Sequence, residues 1–186
     1  MNSLKNLSVK ISRINSRGIG EVLDKNEFPI FCVPFSLPGE VANYFSDGSN
    51  NIKELKFKIT SPHRVTPLCP QFKKCGGCSL QHASDSFVTG WKETIVAHEL
   101  KRKNLFTQFR PTFVTPERSR RRAVFSGRRT KKGTIVGFKE PRSNSIVSIR
   151  GCIIIDKKIL TFLPGMERIA ALACTRSSII RILTSV

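Results

Sequence analysis

Acidic residues are scarce in this chain. Its 186 residues hold 13 Asp and Glu against 32 Lys and Arg, a formal net charge of +19. The shortage is uneven: residues 1–60 carry six acids against eight bases, and residues 61–186 carry seven against 24. A field of that sign attracts polyanions, so nucleic acid leads as a partner and an anionic membrane surface comes second. Long apolar runs are missing as well. No stretch reaches the roughly 20 residues that span a bilayer, because Lys157 and Lys158 interrupt the one region that approaches it. Residues 1–10 are polar where a secretory leader would carry an apolar core. Histidine is limited to His63, His82 and His98, with no pairwise spacing suited to a metal. His98 reads as a solvated helix residue, and His82 as a surface residue or a donor to the thiols nearby.

Cysteine is where the chain is unusual. Cys69-Pro-Gln-Phe-Lys-Lys-Cys75-Gly-Gly-Cys78 places three thiols in a span too short to bury a core of its own. One tight turn would bring the sulfurs of Cys75 and Cys78 to a common centre, with Gly76 and Gly77 expected at positive φ and turning their N–H groups toward sulfur. A fourth ligand must come from afar. Cys152, after Gly151 at the end of an alternating stretch, is the favoured candidate; Cys32 and Cys174 read as small core hydrophobes. Zinc and an iron–sulfur cluster both accept four thiolates, and the missing second C-x-x-C pair weighs against a zinc ribbon. Metal-binding thiolates with no export signal point to a reducing cytoplasm.

The pattern over residues 7–61 is β: Leu7, Val9 and Ile11 alternate, Phe31, Val33 and Phe35 form a second run, and Leu55, Phe57 and Ile59 share a face of a third. Gly18-Ile-Gly20, Pro38-Gly39 and Asp47-Gly48 punctuate them. Short strands in so few residues predict a small barrel with paired edges, Phe31, Val33 and Phe35 lying in its core. Residues 61–70 form a boundary. Ser84 or Asp85 then caps a helix running to about Lys103, with Val88, Trp91 and Ile95 on one stripe.

Residues 118–132 contain Arg118, Arg120, Arg121, Arg122, Arg128, Arg129, Lys131 and Lys132 and no acid. Ala123, Val124 and Phe125 inside the run predict a strand with charges at its ends. Residues 133–139 and 145–149 supply further strands, joined by turns at residues 131–133 and 141–144, so an arginine-fringed antiparallel sheet results. Residues 157–174 read as helix broken near Pro164-Gly165, and residues 179–183 as a last apolar strand. That strand either pairs internally or belongs to a larger protein. The fold class expected is mainly β with some α.

The segment Arg64-Val-Thr-Pro-Leu-Cys-Pro-Gln-Phe-Lys-Lys-Cys-Gly-Gly-Cys-Ser-Leu-Gln-His82 resembles the iron–sulfur segment of the bacterial RNA (uracil-5-)methyltransferases, especially the branch acting on 23S ribosomal RNA. Upstream, Gly18-Ile-Gly-Glu21 and Val33-Pro-Phe-Ser-Leu-Pro-Gly-Glu40 are similar to that family's TRAM domain, an RNA-binding barrel of OB type. Downstream, Trp91-Lys92, Arg120-Arg-Arg-Ala123, Gly137-Phe138 and Ile146-Val-Ser-Ile-Arg-Gly-Cys152 are similar to its central sheet domain. The resemblance implies a TRAM barrel over residues 1–62, an iron–sulfur loop over 63–84 and a truncated central α+β domain over 85–186. It makes Cys69, Cys75, Cys78 and Cys152 ligands of a [4Fe–4S] cluster; the eight Arg and Lys of residues 118–132 are, by their charge, the candidate contacts to RNA. Family members continue into a Rossmann-like domain that binds S-adenosylmethionine and carries the nucleophilic cysteine. No Gly-rich S-adenosylmethionine loop follows a strand here, and Cys174 is not assigned as nucleophile. The chain is therefore expected to be the amino-terminal part of such an enzyme, inactive alone, its methyltransferase domain encoded separately or lost. The rival is a stand-alone RNA-binding iron–sulfur module or redox sensor; radical S-adenosylmethionine chemistry would need C-x3-C-x2-C, which this spacing does not supply.

Overall fold

The computed structural model describes residues 5–46 and 52–186, which gather into two compact units. Met1–Thr66 and Ser79–Thr112 make the first, Pro67–Cys78 and Phe113–Val186 the second. As the alternation predicts, the chain is mainly β with a few helices.

In the first unit β1 (Lys5–Lys10), β5 (Val41–Ser46) and β6 (Ile52–Ile59) form one antiparallel sheet, and β2 (Arg13–Ile14), β3 (Gly20–Leu23) and β4 (Pro29–Val33) another. The described residues form no closed barrel. The reason lies at Ile11-Ser12, where the chain changes sheets. Ile11 N–H still donates to Glu40 O at 2.8 Å, continuing the β1–β5 ladder, while Ser12 N–H already donates to Glu21 O at 2.8 Å, opening the β2–β3 ladder. A strand that bends between sheets serves two ladders without closing either. Ile11, Val22 and Val33 are buried at this corner, with Val9 and Phe31 packed against them. Cys32 does not join them: it is exposed, because the strand period of two turns it away from the side taken by its neighbours Phe31 and Val33. Ile59 is likewise 56% exposed. The turn expected at Asp47-Gly48, and the side chains of Leu7 and Leu55, lie outside the described residues.

Beneath this corner is an ion pair between two residues 24 positions apart. Glu40, fully buried, receives Arg64 Nε at 2.5 Å and Nη2 at 2.6 Å, together with the N–H groups of Leu37 at 2.8 Å and Ser61 at 3.2 Å. Arg64 also donates to Phe35 O at 2.9 Å, and its guanidinium lies 4.4 Å above the Phe57 ring. A buried carboxylate persists only with partners of this kind. Burial alone would raise the Glu40 pKa, but the hydrogen bonds from Arg64, Leu37 and Ser61 and the Arg64 charge hold it below the ordinary 4.5.

Helix α1 (Asp85–Arg102) starts where expected, with Ser84 Oγ accepting from Phe87 N–H and Lys101 and Arg102 in its last turn complementing the dipole. None of its residues is buried, so the stripe of Val88, Trp91 and Ile95 is only half covered. His98 is exposed as expected, whereas His82 is 1% exposed rather than superficial, edge-on to the Phe35 ring.

The second unit holds a four-stranded antiparallel sheet of order β10-β7-β8-β9, built from β7 (Arg122–Thr130), β8 (Gly133–Lys139), β9 (Ile146–Ser148) and β10 (Ile180–Ser185). The final strand pairs internally, along β7. Helices α2 (Lys157–Thr161) and α3 (Leu163–Ala173) cover one face, over a core of Phe125, Val136, Ile155, Ile159, Met166 and Ala170. The helical break comes at Phe162, ahead of Pro164, because proline in a first turn forfeits no hydrogen bond and so starts α3 rather than ending α2. Cys174 is buried as expected, its thiol donating to Gly127 O at 3.4 Å.

Candidate metal centre

The loop carrying Cys69, Cys75 and Cys78 is shaped by its own backbone. Phe72 N–H donates to Cys69 O at 3.0 Å, Cys75 N–H to Gln71 O at 2.8 Å, and Lys73 takes the left-handed turn at φ 72°. Phe72 is buried and anchors the five residues between the first two thiols. Gly76 and Gly77 are not at positive φ, contrary to expectation. They are needed for space. Gly76 N–H donates to Lys139 O at 2.9 Å, and a Cβ at Gly76 would lie 2.6 Å from that same oxygen. A Cβ at Gly77 would lie 3.0 Å from the Phe138 ring and 3.4 Å from Cys75 Sγ. The loop is thereby docked on the end of β8. Gly76→Ala should cost about 1–3 kcal/mol, since backbone on both sides must shift; a thermal melt of that variant within a degree of wild type would contradict the docking.

Cys152 follows β9 in a turn closed by its own N–H to Ile149 O at 2.9 Å, and it packs against the core of the sheet. Cys69, Cys75, Cys78 and Cys152 are all half-buried. Burial pushes the Cys75 thiol above its ordinary pKa, and negative charge on Cys152 and Cys69 pushes the same way. The Gly77 N–H, 3.4 Å from Cys75 Sγ, and the Arg120 guanidinium pull it down. Cys75 thus feels a thiol from the short motif and one from 77 residues further on. Among the described residues no set of three or more His, Cys, Asp or Glu side chains is gathered as a ready-made site for a metal ion. The donor chemistry nevertheless suits an iron–sulfur cluster: four thiols, an N–H aimed at sulfur, a cation close by, and glycines where a side chain would intrude.

The arginine run divides between tasks. Arg120 lies with its guanidinium 5.4 Å from the Phe138 ring centre and close enough to act on Cys75, while its backbone bridges to Ile155. Nothing in a charge run marks which member turns toward sulfur, so in the sequence Arg120 is indistinguishable from its neighbours. Arg118 takes φ 58°, and Arg121 O accepts from Val186 N–H at 3.0 Å. Arg122, Arg128 and Arg129 lie on β7, and Lys131 and Lys132 are exposed where the chain turns into β8. No helix among the described residues is long and apolar enough to cross a membrane.

No family model matches the chain. It is similar to an RNA methyltransferase of Caulobacter vibrioides, 37% identical over 162 residues that make up 86% of this chain and 39% of that protein. An RNA methyltransferase of Brucella suis is 35% identical over 172 residues, 92% of this chain and 41% of that one. The 23S rRNA (uracil(1939)-C(5))-methyltransferase RlmD of Dechloromonas aromatica is 33% identical over 161 residues, 81% of this chain and 37% of its own length. The chain spans about two fifths of the length of these curated relatives. On that similarity, which runs through most of its residues, the chain belongs to the bacterial RNA methyltransferase family.

Proposed function

We propose that these residues are the RNA-recognition and [4Fe–4S]-bearing amino-terminal portion of a cytoplasmic, S-adenosylmethionine-dependent methyltransferase acting on uracil C5 in 23S ribosomal RNA. The observation that carries this reading is the thiol set Cys69, Cys75, Cys78 and Cys152 in one compact unit with a basic antiparallel sheet, in a chain whose relatives are RNA methyltransferases. The four thiolates would hold the cluster, which supplies a four-point crosslink and no reacting group.

The chain's own residues do the rest. The Gly77 N–H and Arg120 offset negative charge on the sulfurs, and Phe72 fixes the loop that presents them. The two sheets of the first unit serve as a TRAM-type RNA-binding module, the thiol loop of residues 67–78 as the iron–sulfur loop, and the four-stranded sheet with α2 and α3 as the core of the central domain. Arg118, Arg121, Arg122, Arg128, Arg129, Lys131 and Lys132 contact phosphates. Thiolate addition to uracil C6 and methyl transfer to C5 belong to the remaining length of the relatives; by themselves these 186 residues bind RNA and do not methylate. A single-stranded fragment of 23S ribosomal RNA, titrated by fluorescence anisotropy between 50 and 300 mM salt, tests the RNA reading. With about six phosphates neutralised the log–log slope should be about −4. Binding that is absent, or indifferent to salt, would overturn it.

A further inference from the structure

The sheet of the second unit has one face under α2 and α3 and another that these two helices leave uncovered. Ala123, Phe125 and Gly127 point to the helices, as their burial and the approach of Gly127 to Ala170 show. The pleat therefore sends Arg122, Val124, Ser126 and Arg128 to the opposite face, where Ser126 is buried, Arg128 half-buried, and Arg122 and Val124 exposed. Register adds Arg181 from β10 opposite Ser126, Leu183 opposite Val124, and Ile135 from β8 opposite Arg128. None of the four strands carries an Asp or Glu. Of the second unit's acids, Glu167 pairs with Arg150 at 2.7 Å and Asp156 caps α2, while Glu117 and Glu140 lie outside the strands, Glu140 directly after β8. Val124 is 43% and Leu183 77% exposed between the cations.

Resting on the RNA-binding reading above, we infer that this face is a platform for single-stranded RNA, and that Arg181, far in sequence from the arginine run, contacts the same strand of RNA as Arg122 and Arg128. Arg122 and Arg128 are six residues apart on one strand, about 20 Å at 3.4 Å per residue, the reach of about six stacked nucleotides. Arg181 stands beside that line, diagonal to Arg128. The charge complementarity is of one sign throughout, and the exposed aliphatic groups of Val124 and Leu183 offer apolar contact to base faces between phosphate contacts.

The test compares wild type with Arg181→Ala, Leu183→Asp and, on α3 away from this face, Arg168→Ala. Each is titrated with a twelve-nucleotide single-stranded RNA across salt, and with vesicles of phosphatidylserine and phosphatidylcholine. Arg181→Ala should bind RNA about threefold more weakly, with a slope shallower by about 0.7. Leu183→Asp, which sets a carboxylate on an exposed site without touching the core, should weaken it about tenfold with an unchanged melting temperature. Arg168→Ala should match wild type. If wild type binds RNA but Arg181→Ala and Leu183→Asp behave like Arg168→Ala, the face is wrong while the RNA reading stands. If wild type binds no RNA, both fall. If the two face variants lose vesicle binding and keep RNA binding, the face meets a membrane and the inference is overturned.

Discussion

Cys152→Ser should strip the protein of iron. A cysteine scan under anaerobic conditions is expected to separate the six thiols cleanly: serine at Cys69, Cys75, Cys78 or Cys152 lowers iron from about four per chain to well under one, while Cys32→Ser and Cys174→Ala leave it unchanged. Cys32 is exposed on a strand of the other unit, and Cys174 is committed to Gly127 O in the core. Cys152 is the informative member, because it is 74 positions beyond Cys78 and joins the site only through the fold. Closing so long a loop costs chain entropy that ligand bonds must offset. Loss of the cluster should therefore also loosen the loop held by Gly76 N–H to Lys139 O, seen as faster proteolysis after Lys73 or Lys74. Full iron in Cys152→Ser would place the fourth ligand elsewhere.

Arg64→Ala should be the most damaging substitution in the first unit. It leaves Glu40 buried with two backbone N–H donors and no countercharge, and breaking a buried pair from one side costs about 3–5 kcal/mol. The double variant Arg64→Met/Glu40→Leu removes both charges and should recover much of that loss. The pH dependence supplies a sign. In wild type the Glu40 pKa is lowered in the folded state, so its contribution is present above about pH 4.5 and is lost as pH falls through the lower folded value. Without Arg64 its hydrogen bonds and its charge no longer lower the Glu40 pKa, which rises relative to wild type, so the penalty should shrink on acidification. Urea denaturation at pH 7 and pH 4 measures this. A penalty that stays constant with pH would mean that Arg64 acts through its packing on Phe57 and not through its charge.

Much of the fold is legible in the sequence because its signals are local. Alternation marks β7, β8 and β10, and Ser84 caps α1 where the pattern begins. The rest is set by distant partners. An apolar run around Cys32 reads as core, yet the pleat sends the thiol outward. A count of short strands suggests a closed barrel, while the bend at Ile11-Ser12 divides them into two sheets. The glycine pair in the thiol motif reads as conformational freedom; its neighbours Lys139 and Phe138 instead leave no room for a Cβ. Glu40 closes one motif conspicuous in sequence and Arg64 opens another, but nothing in either signals that they meet. The same holds for Arg120, whose neighbour Cys75 lies 45 positions away. The spacing of Cys69, Cys75 and Cys78 was readable as it stood; the electrostatic contact of Cys75 with Cys152 needed the fold.

Native mass spectrometry of the anaerobically isolated chain weighs the bound inorganic group directly. The account predicts an increment of four irons and four sulfides over the bare polypeptide, present in wild type and absent from Cys152→Ser. A single zinc, or the same increment in both proteins, would contradict it.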